Sequence, residues 1–426
     1  MKFGIFYEHQ LPRPWAEGDE QALYSQALDQ IELADRLGID YVWEVEHHFL
    51  EEYSHSSAPE VFLAACSQRT KNIRLGHGIM LSPPKYNPPA RVAERIATLD
   101  LVSGGRVEWG TGESGSMMEL AGFGVAREEK GAMWREAAEQ SANMMTMVPY
   151  PGFKGTYFEM PCRNVVPKPV QKPHPPMWVA CSKRESIHKA ARHGIGALAF
   201  AFVEPEQAGK WVEEYYDIIK SDECVPIGHS VNANVALVSG MSCHPDSAEA
   251  IRRGLDGFKF FGYSLGHYAA FGEHQPGITD VWARFQSVKD TLPHDPGQGG
   301  IGSPAQVRSH LERYEKAGVD QMIFVQQSGH TKHEHICESL KTFAADVMPA
   351  FKQRDAVRQA EKQRELAPYV VAALARKPKM KPLSEAEVPP VPAFGRLAPR
   401  GVQFSDRGGA IAVPTSDPHA GKQPAK

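Results

Sequence analysis

Two adjacent imidazoles, His47 and His48, follow the apolar run Tyr41-Val42-Trp43, with Glu44 and Glu46 just ahead of them. Histidine titrates near pH ~6.5, so an imidazole where a strand stops is suited to giving or taking a proton at neutrality, and a nearby carboxylate can set its tautomer. In a βα barrel the C-terminal strand ends face the active site. Taken alone, the pair also fits two rings hydrogen-bonded in a partly buried loop.

Three further segments carry chemistry by residue type. Gly110-Thr111-Gly112-Glu113-Ser114-Gly115 matches Gly-x-Gly-x-x-Gly after a strand, but the next strong strand, from Met177 to Cys181, is distant and ends in Cys-Ser rather than an acid. The context therefore speaks against a dinucleotide site, and the glycines are expected to let backbone approach a flat ring. Cys181-Ser182-Lys183-Arg184 precedes a helical segment. Helix-terminal amides, a hydroxyl and two cations outline an anion site, the alternative being an N-cap with solvated basic residues. Leu75-Gly76-His77-Gly78-Ile79-Met80-Leu81-Ser82 holds an imidazole between glycines, and His77 either points into a barrel or is a core histidine. His330, His333 and His335 lack the spacing and supporting ligands of a metal site and read as a solvated helix start.

Positioning these groups requires a regular frame. Short apolar strands alternate with helical patterns and begin near Phe3, Tyr41, Arg74, Arg106, Met177, Ala197, Asn232 and Gln321, eight in all, as a (βα)8 TIM barrel requires. Leu23, Ala27, Ile31, Ala34 and Leu37 form the apolar stripe of the first helix, stopped at Gly38. Ser303-Pro304-Ala305-Gln306 combines an N-cap, a first-turn proline and a capping-box partner, and Ile336, Leu340, Phe343 and Val347 stripe a closing helix. Two connections, after strands 4 and 7, are too long for simple loops. The first holds Tyr150 to Phe158, a β-hairpin pattern; the second, about Cys243 to Gly300, holds Phe258, Phe260, Phe261, Tyr263, Tyr268 and Phe271, which either pack the insertion or line an organic pocket.

Residues 1–354 are read as the barrel domain and 355–426 as a Pro/basic-rich C-terminal tail, extended or disordered. The 426 residues, 42% of them hydrophobic, can bury a large core. No apolar run nears the roughly 20 residues of a membrane span, six cysteines lie scattered without a Cys-x-x-Cys pair, and the net charge is −4. These features predict a cytoplasmic protein with no membrane, nucleic-acid or metal partner.

Glu46-His47-His48-Phe49 after Val42-Trp43, in a chain opening Met1-Lys2-Phe3-Gly4-Ile5-Phe6, resembles the bacterial luciferase-like flavin monooxygenases. Arg106-Val107-Glu108-Trp109-Gly110, Trp178-Val179-Ala180-Cys181-Ser182, Ile301-Gly302-Ser303-Pro304 and Phe343 to Pro349 follow in that family's order. The resemblance covers about residues 1 to 350. It implies a two-component monooxygenase in which a separate NAD(P)H:flavin reductase delivers reduced FMN, dioxygen adds at flavin C4a, and a small, hydrophobic organic substrate is oxygenated by a homodimer or higher homo-oligomer. It places His47 at the reacting centre with Glu46 and His48 supporting it. FMN contacts are expected from His77, Gly78, Ile79, Ser82, Gly110, Thr111, Gly112, Cys181, Ser182, Lys183 and Arg184, with a non-prolyl cis peptide at Gly78-Ile79. Where luciferase has a reactive cysteine and a phosphate-binding arginine, this chain has Gly112 and Glu113, so Lys183 and Arg184 must supply the positive charge or Glu113 must face elsewhere. An F420-dependent hydride-transfer dehydrogenase and a non-catalytic flavin-binding protein are the alternatives on the same barrel.

Overall fold

A computed structural model describes residues 1–200 and 202–391. Eight strands, β1 (Lys2–Tyr7), β2 (Tyr41–Glu44), β3 (Arg74–His77), β4 (Val107–Gly112), β5 (Met177–Cys181), β6 (Gly196–Ala199), β7 (Val235–Ser239) and β8 (Gln321–Val325), pair in parallel with their neighbours. The barrel closes where β3 meets β4, with Leu75 opposite Val107 and Gly76 opposite Glu108. The expected strands are all present, although β7 begins three residues after Asn232.

Alternation along each strand builds two apolar layers. Phe6, Trp43, Trp178, Ile323 and Val325 fill the interior, while Phe3, Ile5, Val42 and Leu75 pack outward against helices. Trp43 explains one interior glycine: a Cβ on Gly76 would lie 2.2 Å from the indole.

The helices follow their punctuation. Helix α1 (Asp19–Leu37) ends at left-handed Gly38, whose N–H donates to the carbonyls of Ala34 and Asp35. Helices α2 (Pro59–Arg69) and α3 (Pro89–Val102) complete the next two repeats. The insertion after β4 carries the short α4 (Met117–Gly122), α5 (Lys130–Thr146) and the expected antiparallel hairpin, Tyr150–Lys154 with Glu159–Arg163. Helices α6 (Arg184–Arg192) and α7 (Pro205–Ile219) follow β5 and β6.

After β7, α8 (Ser247–Gly266) runs into a π-helical turn, His267–Phe271, and then α9 (Val281–Val288). Phe258, Phe260, Phe261 and Tyr268 are buried in the cluster that continues from the barrel interior, so these rings pack the insertion onto the barrel; Phe271 is exposed. Helix α10 (Pro304–Lys316) shows the reciprocal Ser303/Gln306 capping box. The carboxyl end of β8 leads to α11 (His333–Asp346).

The boundary at residue 355 is corrected. Residues 348–376 form one helix, α12 (Met348–Arg376), rather than the start of an extended tail. Its sparse buried positions, Phe351, Leu366 and Ala373, are joined by ion pairs: Asp355 accepts from the Met1 ammonium at 2.8 Å and from Lys2 Nζ at 2.9 Å, and Lys362 Nζ lies 2.8 Å from Asp320. Charge-rich composition hid an amphipathic helix. Within the segment from Leu383 onward, Ser384 caps a single 3₁₀ turn, Glu385–Glu387. Residues 392–426, the rest of the expected tail, lie outside the described residues. Among the described residues no helix is long and apolar enough to cross a membrane.

Candidate active site

Strand β2 stops at Glu44, and the chain then bends across the barrel mouth, with the His47 N–H donating to the Ser56 carbonyl at 2.8 Å. His47 sits between two buried carboxylates. Its Nδ1–H donates to Glu119 Oε1 at 2.9 Å, and its Nε2 lies 3.7 Å from Glu8 Oε2. Glu119 also accepts from the His48 N–H at 2.9 Å and from Ser114 Oγ at 2.5 Å. Glu8 is fixed on its other oxygen by the Tyr53 hydroxyl, which donates at 2.7 Å.

Burial alone would lower the His47 pKa, but Glu119 and Glu8 outweigh it and raise the imidazole to about 9. Burial pushes the Glu8 carboxyl up to about 7, against the opposing pull of His47 and Tyr53. Burial also acts upward on Glu119, yet His47, Ser114 and the His48 amide together hold it below the ordinary carboxylate range.

Glu46 has a different task from the one expected. It is buried and accepts from the Leu81 N–H at 2.7 Å and from Asn87 Nδ2 at 2.9 Å, bracing the end of the third repeat, while its other neighbour is His48 Nε2 at 3.2 Å. It holds His48 rather than His47. The His48 ring meets Phe123 edge-on at 4.9 Å, and Phe123 contacts Phe49 at 5.5 Å and Tyr86 at 4.8 Å. These rings make an aromatic wall beside the histidines. Phe49 (φ 67°) and Ser114 (φ 66°) are left-handed non-glycine residues following β2 and β4, and His9 (φ 53°) and Gln327 (φ 49°) follow β1 and β8. Backbone strain thus gathers on the C-terminal face of the barrel.

The expected anion site is rearranged. Arg184 turns away: its guanidinium is 55% exposed and grips Glu214 on α7, with Nε donating at 2.8 Å. Ser182 and Lys183 remain exposed at the start of α6. The inward cation is Lys189, one turn further on, whose Nζ lies 3.6 Å from Glu113 Oε1 and 3.9 Å from the Trp134 ring centroid. Lys130 donates to the Ser114 carbonyl. Its pKa is lowered by burial first and then by Arg127, Lys189 and Lys183, with Glu113 opposing. Lys189 pairs with Glu113, and Arg127, Lys183 and Lys189 add positive charge around Lys130.

The residues of the third and fourth strands serve the fold more than expected. His77 lies on the same face of β3 as Leu75, toward the helix layer, where burial pushes it down to about 4. Both of its ring nitrogens are buried and, among the described residues, have no hydrogen-bond partner. Thr111 is likewise occupied: its hydroxyl donates to the Trp178 carbonyl at 2.8 Å and accepts from Trp134 Nε1 at 3.0 Å. A Cβ on Gly110 would lie 1.8 Å from the His77 carbonyl oxygen, and one on Gly112 would lie 2.3 Å from Ile79 Cδ1. These glycines allow close approach of the neighbouring β3 segment. Gly78 abuts Trp43 and Phe6, and Ser82 is buried with its N–H on the Gly112 carbonyl at 2.9 Å. Among the described residues the cis peptides all precede proline, so the Gly78-Ile79 bond is trans. Burial pushes the Cys181 thiol up to about 12, and it donates to the Ser186 carbonyl at 3.2 Å. His333 begins α11 and is partly buried, with its Nδ1 contacting Gln30 Nε2 at 3.1 Å.

Sequence reasoning missed Glu119, Glu8, Tyr53, Lys130 and Lys189. Ser116-Met117-Met118-Glu119 carries a signal, since it reads as a capping box, but Glu119 spends its carboxylate on His47 instead. Glu8 follows the strand β1 directly, where a barrel places functional side chains.

The sequence pattern of the luciferase-like monooxygenases matches residues 1–321. The oxygenase component of a flavin-dependent trigonelline monooxygenase from Acinetobacter baylyi is 24% identical over 375 residues, spanning 83% of this chain and 96% of that protein. An F420-dependent glucose-6-phosphate dehydrogenase from Amycolatopsis mediterranei is 30% identical over 190 residues, spanning 43% of this chain and 54% of that enzyme. Among solved structures, a monooxygenase from Streptomyces bottropensis superposes with a TM-score of 0.67 at 25% identity, covering 82% of this chain and 100% of that one.

Proposed function

The chain belongs to the luciferase-like monooxygenase family, and from that membership we propose that it is the oxygenase of a two-component pair, using reduced FMN and dioxygen to oxygenate a small, largely apolar organic molecule. The observation that carries this reading is His47 held between Glu119 and Glu8 at the barrel mouth, beside the wall of Phe49, Tyr86 and Phe123.

Reduced FMN, when bound, supplies the electrons that activate dioxygen. The protein supplies position, dryness and a proton. Glu119 accepts the His47 Nδ1 proton and so leaves Nε2 as the nitrogen that meets the reacting group. With both carboxylates near, His47 is an imidazolium at neutral pH and gives a proton from Nε2. The aromatic wall excludes water and favours a ring or hydrocarbon substrate. Lys189, Lys130 and Lys183, with the amides at the start of α6, would hold the FMN phosphate. Reductant would come from a separate NAD(P)H:flavin reductase, since Gly110 and Gly112 pack against the neighbouring strand of the barrel instead of opening a dinucleotide fold.

F420-dependent hydride transfer is the second reading, supported by the likeness to the glucose-6-phosphate dehydrogenase. Anaerobic titration of tryptophan fluorescence separates the two. Reduced FMN should bind at least about tenfold more tightly than reduced F420 or NADPH, a difference of about 1.4 kcal/mol. Tighter binding of reduced F420, with no oxygen uptake when reduced FMN is supplied, would overturn the monooxygenase reading.

A further inference from the structure

Four carboxylates stand near the two histidines, and two of them, Glu119 and Glu46, have both oxygens engaged. Glu119 accepts from His47, His48 and Ser114, and Glu46 accepts from Leu81 and Asn87; Glu44 accepts from Ser56 and lies 3.0 Å from His9 Nε2, both on Oε1, and among the described residues its Oε2 has no partner. Glu8 also keeps one oxygen free. Its side chain is 2% exposed, Oε1 is held by Tyr53, and among the described residues Oε2 has no hydrogen-bond partner. That free oxygen is 3.7 Å from His47 Nε2, the nitrogen left over by Glu119, and a sub-ångström movement brings it into hydrogen-bond range.

We propose that Glu8 is the proton partner of His47, its Oε2 exchanging one proton with Nε2 and so setting the charge state that the imidazole presents to the substrate. One N–H bond breaks as one O–H bond forms, and no electrons are exchanged. The groups facing Glu8 are His47, Tyr53 and Ser54 from the segment after β2 and Glu44 from β2 itself. Burial holds the Glu8 carboxyl at about 7, where it changes charge at neutral pH. What distinguishes Glu8 from Glu44, whose Oε2 is also unpaired, is that its free oxygen faces the one ring nitrogen of His47 that Glu119 leaves open.

The use of this proton in turnover rests on the monooxygenase reading, but the exchange can be measured without flavin. Full-length protein labelled with ¹⁵N-histidine is titrated by NMR, with His47→Gln identifying the signal. Glu8→Gln should lower the His47 midpoint by about one pH unit or more, because an anionic neighbour is lost, and Glu8→Asp should recover part of it. Tyr53→Phe, which keeps the carboxylate but removes the donor that favours its anion, should lower the same midpoint by a smaller amount and serves if Glu8→Gln does not fold. A His47 midpoint unmoved in a folded Glu8→Gln, or in Tyr53→Phe, overturns the proposal. A flavin that fails to bind would count against the monooxygenase reading and leave this result standing.

Discussion

His47 Nδ1 and Glu119 Oε1 lie 2.9 Å apart across 72 residues of sequence. The imidazole stands at the end of the second barrel strand, and its carboxylate comes from α4, six residues of an insertion after the fourth. Site and insertion are thereby coupled: whatever reshapes α4 also re-aims His47.

Glu119→Gln tests that coupling. The amide keeps the shape but removes the charge, so the His47 ring loses both its orientation and part of the field that raises it to about 9. The turnover number should fall on the order of 10²-fold, and the alkaline limb of its pH profile should move to lower pH. A profile and rate like those of the wild type would remove Glu119 from the machinery.

The cation cluster makes a selective prediction. Lys189→Ala should weaken reduced FMN by about tenfold or more, the equivalent of one charge-assisted hydrogen bond of roughly 1.5–3 kcal/mol, and leave reduced riboflavin nearly unaffected because it lacks the phosphate. Arg184→Ala should change neither, since Arg184 is spent on Glu214 at the surface. Equal losses for both flavins with Lys189→Ala would mean that the lysine shapes the pocket rather than the phosphate site.

The glycines of the fourth strand can be told apart by stability. Gly110→Ala drives a Cβ against the His77 backbone carbonyl, which cannot swing aside, whereas a Cβ on Gly115 meets nothing within 4 Å. Denaturant unfolding should show Gly110→Ala destabilised by about 3 kcal/mol or more and Gly115→Ala within about 0.5 kcal/mol of wild type. Equal stability of the two would show that β3 and β4 do not need the close approach.

The barrel was legible because its signals are local. Strand starts, the Gly38 stop and the Ser303/Gln306 capping box depend on residues within a few positions of one another, and all reappear in the structure. His47 was legible through its place at a strand end. What could not be read was partnership across long separations. Nothing near His47 in sequence announces Glu119, and nothing near Lys183 and Arg184 says that one of them faces Glu214 while Lys189 turns inward. The tail was misjudged for a related reason: α12 is ordered by Asp355 meeting Met1 and Lys2 at the other end of the chain and by Lys362 meeting Asp320 beside β8, which composition does not register.

The charge state of His47 also makes stability depend on pH. Its folded value, about 9, lies above the model-peptide value of about 6.5, so the folded chain holds a proton that the unfolded chain releases. The stabilisation is fully present below about pH 6.5 and is lost as the pH rises through about 9. Glu8, raised to about 7, acts in the same direction at lower pH, since its buried carboxyl is favoured in the protonated form. Working above about pH 8, where Glu8 is largely ionised, isolates the histidine. Urea midpoints of wild type and His47→Gln should therefore converge as the pH rises from about 8 to about 10, with wild type losing its advantage. A gap that stays constant over that range would show that His47 is not held as an imidazolium, and the proton-donor role assigned to it would fall.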